Sequence, residues 1–395
     1  MGSLYAALKP PTTTSKTIAR GVSKVFVMPP TRTDYQLPIA AERRLDLFVR
    51  HVEANPGNLI TASEVSELED AMDVGSVEPT LPAGMSGEDF TGVLKLALLT
   101  ECATDTYAHA IASRAHAYDA TWLERFTLET WAPDEHTHHE PFGHMLRSLG
   151  FSDAEMDREM RETQEQIYVH GAGDTPAHIT AYAMIQEYLT DHWHGLIGTL
   201  TREAAPVASK MASRVKQRET LHAMWYRDMT AMQVEADPSL LSHVAEAVVH
   251  FHMPGKIILP ELEEHVPHLL SVARADLDEL VRGLIRLVES LLPDTRSAGA
   301  LLMEVASAKG MRFGPVSAGQ VHAALGRLGG PGYGLIGEAL LDRAGLSYLY
   351  RKSDTASRWG QGDPFTGRLR AMLREWVASQ IDLRLGFPVM PDAAP

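Results

Sequence analysis

Two glutamates in this 395-residue chain are each followed three residues later by a histidine: Glu135 by His138, and Glu219 by His222. At about 100° per residue, an i, i+3 step keeps both side chains within about 60° of one helix face, where a carboxylate and an imidazole can grip one ion. The pairs alone decide nothing. With 29 glutamates and 18 histidines in the chain, chance supplies about one such pair, and two solvated helix faces account for them equally well.

Spacing adds what the pairs lack. Glu101 precedes Glu135 by 34 residues and Glu187 precedes Glu219 by 32, while 52 residues separate Glu135 from Glu187. An antiparallel helix pair returns to the same depth after two half-helices and a turn, so each shorter interval fits one hairpin and the longer one fits a crossover. The chain then reads as two hairpins, each supplying one lone glutamate and one Glu-x-x-His, the donor set of carboxylate-bridged di-iron bundles. Four carboxylates and two neutral imidazoles offset most of the charge of two divalent ions, and hard oxygen donors favour iron or manganese over metals that prefer sulfur. Iron is the stronger expectation, because two irons can share the electrons that split dioxygen and give an oxidant for an unactivated C–H bond. Four buried glutamates without metal would repel one another and hold protons.

Helices must position these residues, and the pattern supplies them. Apolar residues recur at helical spacing over 41–53 and 88–114, and helical stretches follow at 122–144, 154–170, 177–201 and 207–235, with Pro133 and Pro141 interrupting the first of these. Period-two alternation is almost absent between 41 and 235, so the fold class is all-α, a helical bundle with additional helices and a C-terminal helical extension; the donor set, not the periodicity, makes a ferritin-like di-iron bundle the expected form. The expected organisation is an extended, proline-containing arm over 1–40, the bundle over 41–270, and the extension over 271–395. In that extension helices are expected near 267–273 and 276–292, and a Gly/Pro stretch at 326–334 interrupts a further helical region ending near Gln380.

Composition bounds the function. Forty-five per cent hydrophobic and 22% charged residues is an ordinary globular balance. A net charge of −15 argues against sequence-independent binding to nucleic acid or to an anionic membrane. The single cysteine, Cys102, excludes an intrachain disulfide or a cysteine-based metal site and fits a reducing, cytoplasmic setting. Residues 1–9 lack the pattern of a secretory signal, and no stretch reaches the roughly 18 apolar residues of a membrane span.

Five segments carry a resemblance to a known family. Thr100-Glu101-Cys102-Ala103-Thr104-Asp105-Thr106-Tyr107 resembles T-E-E-A-L-P-T-Y, and Trp131-Ala132-Pro133-Asp134-Glu135-His136-Thr137-His138 resembles W-T-A-E-E-N-R-H. Gln186-Glu187-Tyr188-Leu189-Thr190, continuing to His194-Gly195, resembles Q-E-R-A-T followed by H-G. Arg218-Glu219-Thr220-Leu221-His222 resembles D-E-K-R-H, and Met253-Pro254-Gly255 resembles the M-P-[AG] turn that follows it. These are motifs of the soluble acyl-[acyl-carrier-protein] desaturases, and the likeness runs over about residues 41 to 260.

The resemblance implies an oxygen-dependent oxidoreductase that desaturates an acyl chain carried as a thioester on acyl carrier protein. It implies two Fe2+ ions held by Glu101, Glu135, His138, Glu187, Glu219 and His222, with Glu135 and Glu219 bridging. Dioxygen would be the co-substrate, a ferredoxin-type protein the electron donor, and the assembly a homodimer. Thr190, one turn after Glu187, matches the threonine to which the family assigns oxygen activation and proton delivery; the plain alternative is a hydroxyl bonded back to its own helix. His194 matches a partner of the ligands. Other chemistry fits the same donors: hydroxylation or N-oxygenation, or a ferritin-like bundle that only binds iron.

Three departures from the family's motifs stand out. Cys102 replaces an acid beside the first glutamate and reads as packing. Pro133 forfeits a helix hydrogen bond two residues before Glu135, so the helix kinks there or starts late. Arg218 occupies the place of an aspartate associated with electron transfer, which leaves the reductant open. Lys210, Arg214, Lys216 and Arg218 form a basic island that could dock an acidic carrier protein or merely face solvent. His136, His139 and His192 read as neighbours of the ligands, and Trp131 and Tyr107 as packing. The run Gly329-Gly330-Pro331-Gly332 has no Gly-Lys-Ser/Thr after it and is not a phosphate loop.

Overall fold

The computed structural model describes residues 35–73, 84–166, 168, 173–202, 206–259 and, with gaps, 261–308; the expected arm up to residue 34 and everything past 308 lie outside the described residues. Every regular element among them is helical, as the absence of period-two alternation predicts.

In chain order, α1 (Ile39–Ala54) buries Leu45, Val49 and Val52 along one stripe, and α2 (Ala62–Asp73) follows. Ser86 caps α3 (Gly87–Cys102) by accepting from the Asp89 N–H, a bond that satisfies one orphan donor of the first turn. α3 is almost wholly buried toward its end. The expected single helix over 88–114 breaks at Ala103, and α4 (Thr104–Ala117) continues it. No proline or glycine marks the break. The Thr104 hydroxyl donates to the Glu101 carbonyl at 2.7 Å, and this bond holds the chain at the residue that matters.

The return leg accommodates Pro133 by an inserted residue. α5 (Thr121–Phe126) runs into a π-helical turn over Thr127–Trp131, then into α6 (Ala132–Glu135), with the Ala132 N–H reaching back to the Thr127 carbonyl. The wider turn precedes a residue that has no N–H to give, so the kink expected from Pro133 takes the form of a π-bulge. Residues 136–139 form tight turns, with His138 N–H bonded to Glu135 O at 3.0 Å, before α7 (Glu140–Ser148) starts with Pro141 in its first turn. A reciprocal Ser152–Glu155 capping box opens α8 (Asp153–Gln164).

The second hairpin joins α9 (Pro176–Thr201), 26 residues, to α10 (Pro206–Ala236), 31 residues. α9 is apolar on nearly all sides, the signature of a helix at the centre of a bundle. Near the turn the two helices pass closely: a Cβ on Gly198 would meet Ser209 O at 3.4 Å, and the Ser209 hydroxyl donates to Gly198 O at 2.5 Å. α11 (Leu241–Val249) packs on α9 and on the helix Thr295–Ala308, while α12 (Pro254–Ile258) and α13 (Val266–Val272) pack on α3. Leu280, Leu284, Val288, Leu301 and Val305 are buried in the same hydrophobic core as the bundle helices. No helix among the described residues is long and apolar enough to cross a membrane.

Candidate metal centre

Each expected donor arrives from a different piece of local structure. Glu101 sits one residue before the end of α3, Glu135 ends α6, His138 lies in the turn after it, Glu187 is at mid-α9, and Glu219 and His222 lie one turn apart on α10. All six are buried, the most accessible being Glu101 at 6%. Their donor atoms form two groups, Glu101–Glu135–His138–Glu219 and Glu135–Glu187–Glu219–His222, each with all its atoms within 4.8 Å of one another. Glu135 and Glu219 belong to both.

The contacts show donors aimed at common points. His138 Nδ1 lies 2.7 Å from Glu219 Oε1 and 3.0 Å from Glu135 Oε2, and His222 Nδ1 lies 2.6 Å from Glu135 Oε1 and 4.0 Å from Glu187 Oε2. The two imidazoles stack, with centroids 5.7 Å apart and planes 18° off parallel. The far nitrogen of His222, Nε2, lies 2.7 Å from Asp134 Oδ2. An ionised carboxylate only accepts, so that nitrogen carries the proton and Nδ1 of the neutral ring presents a lone pair. The 2.6 Å approach of His222 Nδ1 to Glu135 Oε1 lacks hydrogen-bond geometry, and Glu219 Oε2 is buried with no hydrogen-bond partner among the described residues. Buried acceptors converging in this way call for a cation, and the oxygen-rich donor set suits two hard or borderline divalent ions.

The electrostatics agree. Burial raises the Glu187 carboxyl to about 7, with the charge of Glu135 adding to it, and burial together with Glu135 and Glu187 holds Glu219 well above the usual carboxylate range. Burial also penalises charge on Glu135, but His138 and His222 beside it outweigh that and hold it low. Burial opposes charge on His222 as well; Glu135 and Asp134 overcome it and raise the ring to about 10. Protons therefore do the work of positive charge here, and a divalent ion would displace them.

Each lone glutamate receives one N–H. His194 Nε2 stands 3.1 Å from Glu101 Oε1, and Trp131 Nε1 donates to Glu187 Oε1 at 3.1 Å. Trp131 was expected only to pack, and Asp134 did not stand out at all; the one signal for either was position, since Asp134 directly precedes Glu135 as Arg218 precedes Glu219. His136 pairs instead with Asp105 at the surface, and His192 with Asp191. Thr190 lines a cavity beside the donors with Thr100, Tyr107, Met253 and Pro254, and its hydroxyl donates to Gln186 O at 2.6 Å, the local bond of the plain alternative. Cys102 is buried, and burial with the adjacent Glu101 pushes its thiol up to about 12, consistent with a packing role.

The basic island does not form an open basic surface. Arg218 is 1% exposed and paired with Asp134, Arg214 pairs with Glu64, Lys216 with Asp191, and the exposed Lys210 reaches Glu67 at 3.5 Å. The sequence showed the cations; their partners, Glu64 and Glu67 among them, come from distant segments.

An all-α bundle enclosing four glutamates and two histidines, two of the glutamates common to both donor groups, could hold two metal ions in the manner of the carboxylate-bridged dinuclear bundles. Residues 83–275, which contain all six donors, match the family described as fatty acid desaturase. That match makes this segment similar to fatty acid desaturases. No curated protein matches the chain.

Proposed function

We propose that this chain is an oxygen-dependent di-iron desaturase of acyl chains carried as thioesters on acyl carrier protein. What supports it most is the sharing of Glu135 and Glu219 between two buried donor groups inside the desaturase-like segment. In this reading Glu101 and His138 would hold one iron and Glu187 and His222 the other, with Glu135 and Glu219 common to both donor groups. When bound, the two ions supply dioxygen activation and an oxidant for an unactivated C–H bond. Two hydrogens leave adjacent carbons, two electrons come from a ferredoxin-type donor with two protons, and dioxygen leaves as two waters. A homodimer accompanies this reading through the sequence resemblance alone.

The chain's own groups have defined tasks. The N–H of Trp131 and of His194 each fix one oxygen of a lone glutamate, which leaves the other free to bind. Asp134 fixes the tautomer of His222. Burial of all six candidate donors keeps bulk water from them, and the small cavity bordered by Thr100, Thr190 and Met253 is where substrate carbon would approach. Thr190 would relay protons by turning its hydroxyl away from Gln186 O, giving that hydrogen up while its oxygen takes another. Replacing Thr190 with valine should leave metal content unchanged and slow turnover about 10²-fold, with more dioxygen consumed per product. Equal rates in oxygen-uptake and product assays would remove Thr190 from the reaction.

The hydroxyl and amide groups of Thr100, Thr104, Tyr107 and Gln186 in the cavity wall favour, as a second reading, an oxygenase acting on a substrate with a polar group near the reacting carbon. Labelled dioxygen separates the two. A desaturase leaves all label in water, whereas label in the organic product establishes the oxygenase and overturns the first reading.

A further inference from the structure

The two histidines of the centre are supported unequally. Asp134 Oδ2 lies 2.7 Å from His222 Nε2 and accepts from Arg218 Nε at 2.8 Å, with Arg218 Nη2 2.6 Å away as part of the same ion pair. Arg218 is itself locked: its Nη1 donates to Pro56 O at 2.7 Å, and its guanidinium lies 5.6 Å from the ring of Trp225. Gly57, at φ +73°, lets the chain after α1 close over it, and a Cβ there would meet Nη1 at 3.2 Å. His138 has no such support. Its Nε2 is buried without a hydrogen-bond partner among the described residues, and Asp134 Oδ1 comes only to 3.9 Å.

The near-repeat of the two hairpins explains the difference. The residue before one shared glutamate serves the histidine of the opposite hairpin, as Asp134 before Glu135 serves His222. In the near-repeat, residue 218 before Glu219 is the counterpart of Asp134 before Glu135. It is an arginine, which only donates and pairs with Asp134, so among the described residues His138 Nε2 has no acceptor. Charge accounts for the choice: Arg218 offsets Asp134, and the four glutamates offset two divalent ions, so the buried set is neutral when loaded.

We propose that the two metal positions differ in affinity: the Glu187–His222 position, backed by Asp134 and Arg218, fills first, and the Glu101–His138 position fills second and releases its ion more readily. This rests on the dinuclear centre proposed above. A carboxylate behind a ligating imidazole fixes its tautomer and raises its basicity, and lack of that partner weakens metal binding about 10- to 100-fold.

Titration of the metal-free full-length protein with cobalt(II), without oxygen and against a chelating indicator, tests it. Two steps separated by about 10- to 100-fold are expected. Glu101→Gln should retain only the tight step, Glu187→Gln only the weak one, and Asp134→Asn should bring the tight step down to the weak. Equal or single-step binding of two ions overturns the proposal, as does a tight step that survives Glu187→Gln and disappears in Glu101→Gln. Should Asp134→Asn lose its helical circular dichroism, the two glutamine variants still decide. Absence of any metal binding by the unaltered chain removes the centre itself. Two unequal steps in a protein that turns over no acyl thioester would uphold the inequality and sink the desaturase reading.

Discussion

Replacing Glu135 with alanine should empty both metal positions and abolish turnover, because this one carboxylate belongs to both donor groups. The same change should also destabilise the metal-free protein. Glu135 is the carboxylate that His138 and His222 hold ionised, and without it two buried imidazoles lose their principal counter-charge, a loss of about 3–5 kcal/mol. Glu219→Gln provides the contrast. Burial with Glu135 and Glu187 already keeps Glu219 protonated, so a neutral amide there should leave the metal-free melting temperature nearly unchanged while metal binding and turnover still disappear. Metal quantification, turnover and thermal melts on both variants check this. Full iron content and activity in Glu135→Ala would end the dinuclear account, and equal destabilisation by both variants would show that the charges within the centre are distributed otherwise.

The helices that carry the donors were legible because their apolar spacing is dense and their punctuation explicit. α9 and α10 begin within a residue or so of the expected positions, where Pro176 and Pro206 sit in the first turn. The break after Glu101 was not legible, since it depends on a threonine hydroxyl bonding a carbonyl three residues back and no breaker residue marks it. Pro133 announced a disturbance without its form; the π-bulge arises because the helix must still deliver Trp131 to Glu187 and Glu135 to the two histidines. Type and spacing made the six residues candidates, the resemblance implied them as ligands, and the fold brings them together. Their supports were not legible, because Trp131, Asp134 and Arg218 act across 56, 88 and 84 residues of sequence on partners that only the packing of the two hairpins brings near.

Stability should depend on pH in opposite ways with and without metal. In the metal-free protein Glu187 is raised from 4.5 to about 7 and His222 from 6.5 to about 10. A group raised on folding contributes stability fully below its unfolded value and loses it as pH climbs through the folded value. Between pH 5 and pH 8 both contributions therefore shrink, and the Glu187 shift alone is on the order of 3 kcal/mol. Glu135 and Asp134, held low by their histidine partners against the effect of burial, lose their contribution only as pH falls below about 4, outside this window. Metal binding needs the protons gone from Glu187, Glu219 and the Nδ1 of His222, so affinity rises over the same interval and each loading step releases protons. The metal-free melting temperature should therefore fall by several degrees from pH 5 to pH 8 while that of the iron-loaded protein holds or rises, widening the gap between them. A metal-free melting temperature that is flat or increasing across that range would mean that the carboxylates do not share protons in the way their burial and spacing require.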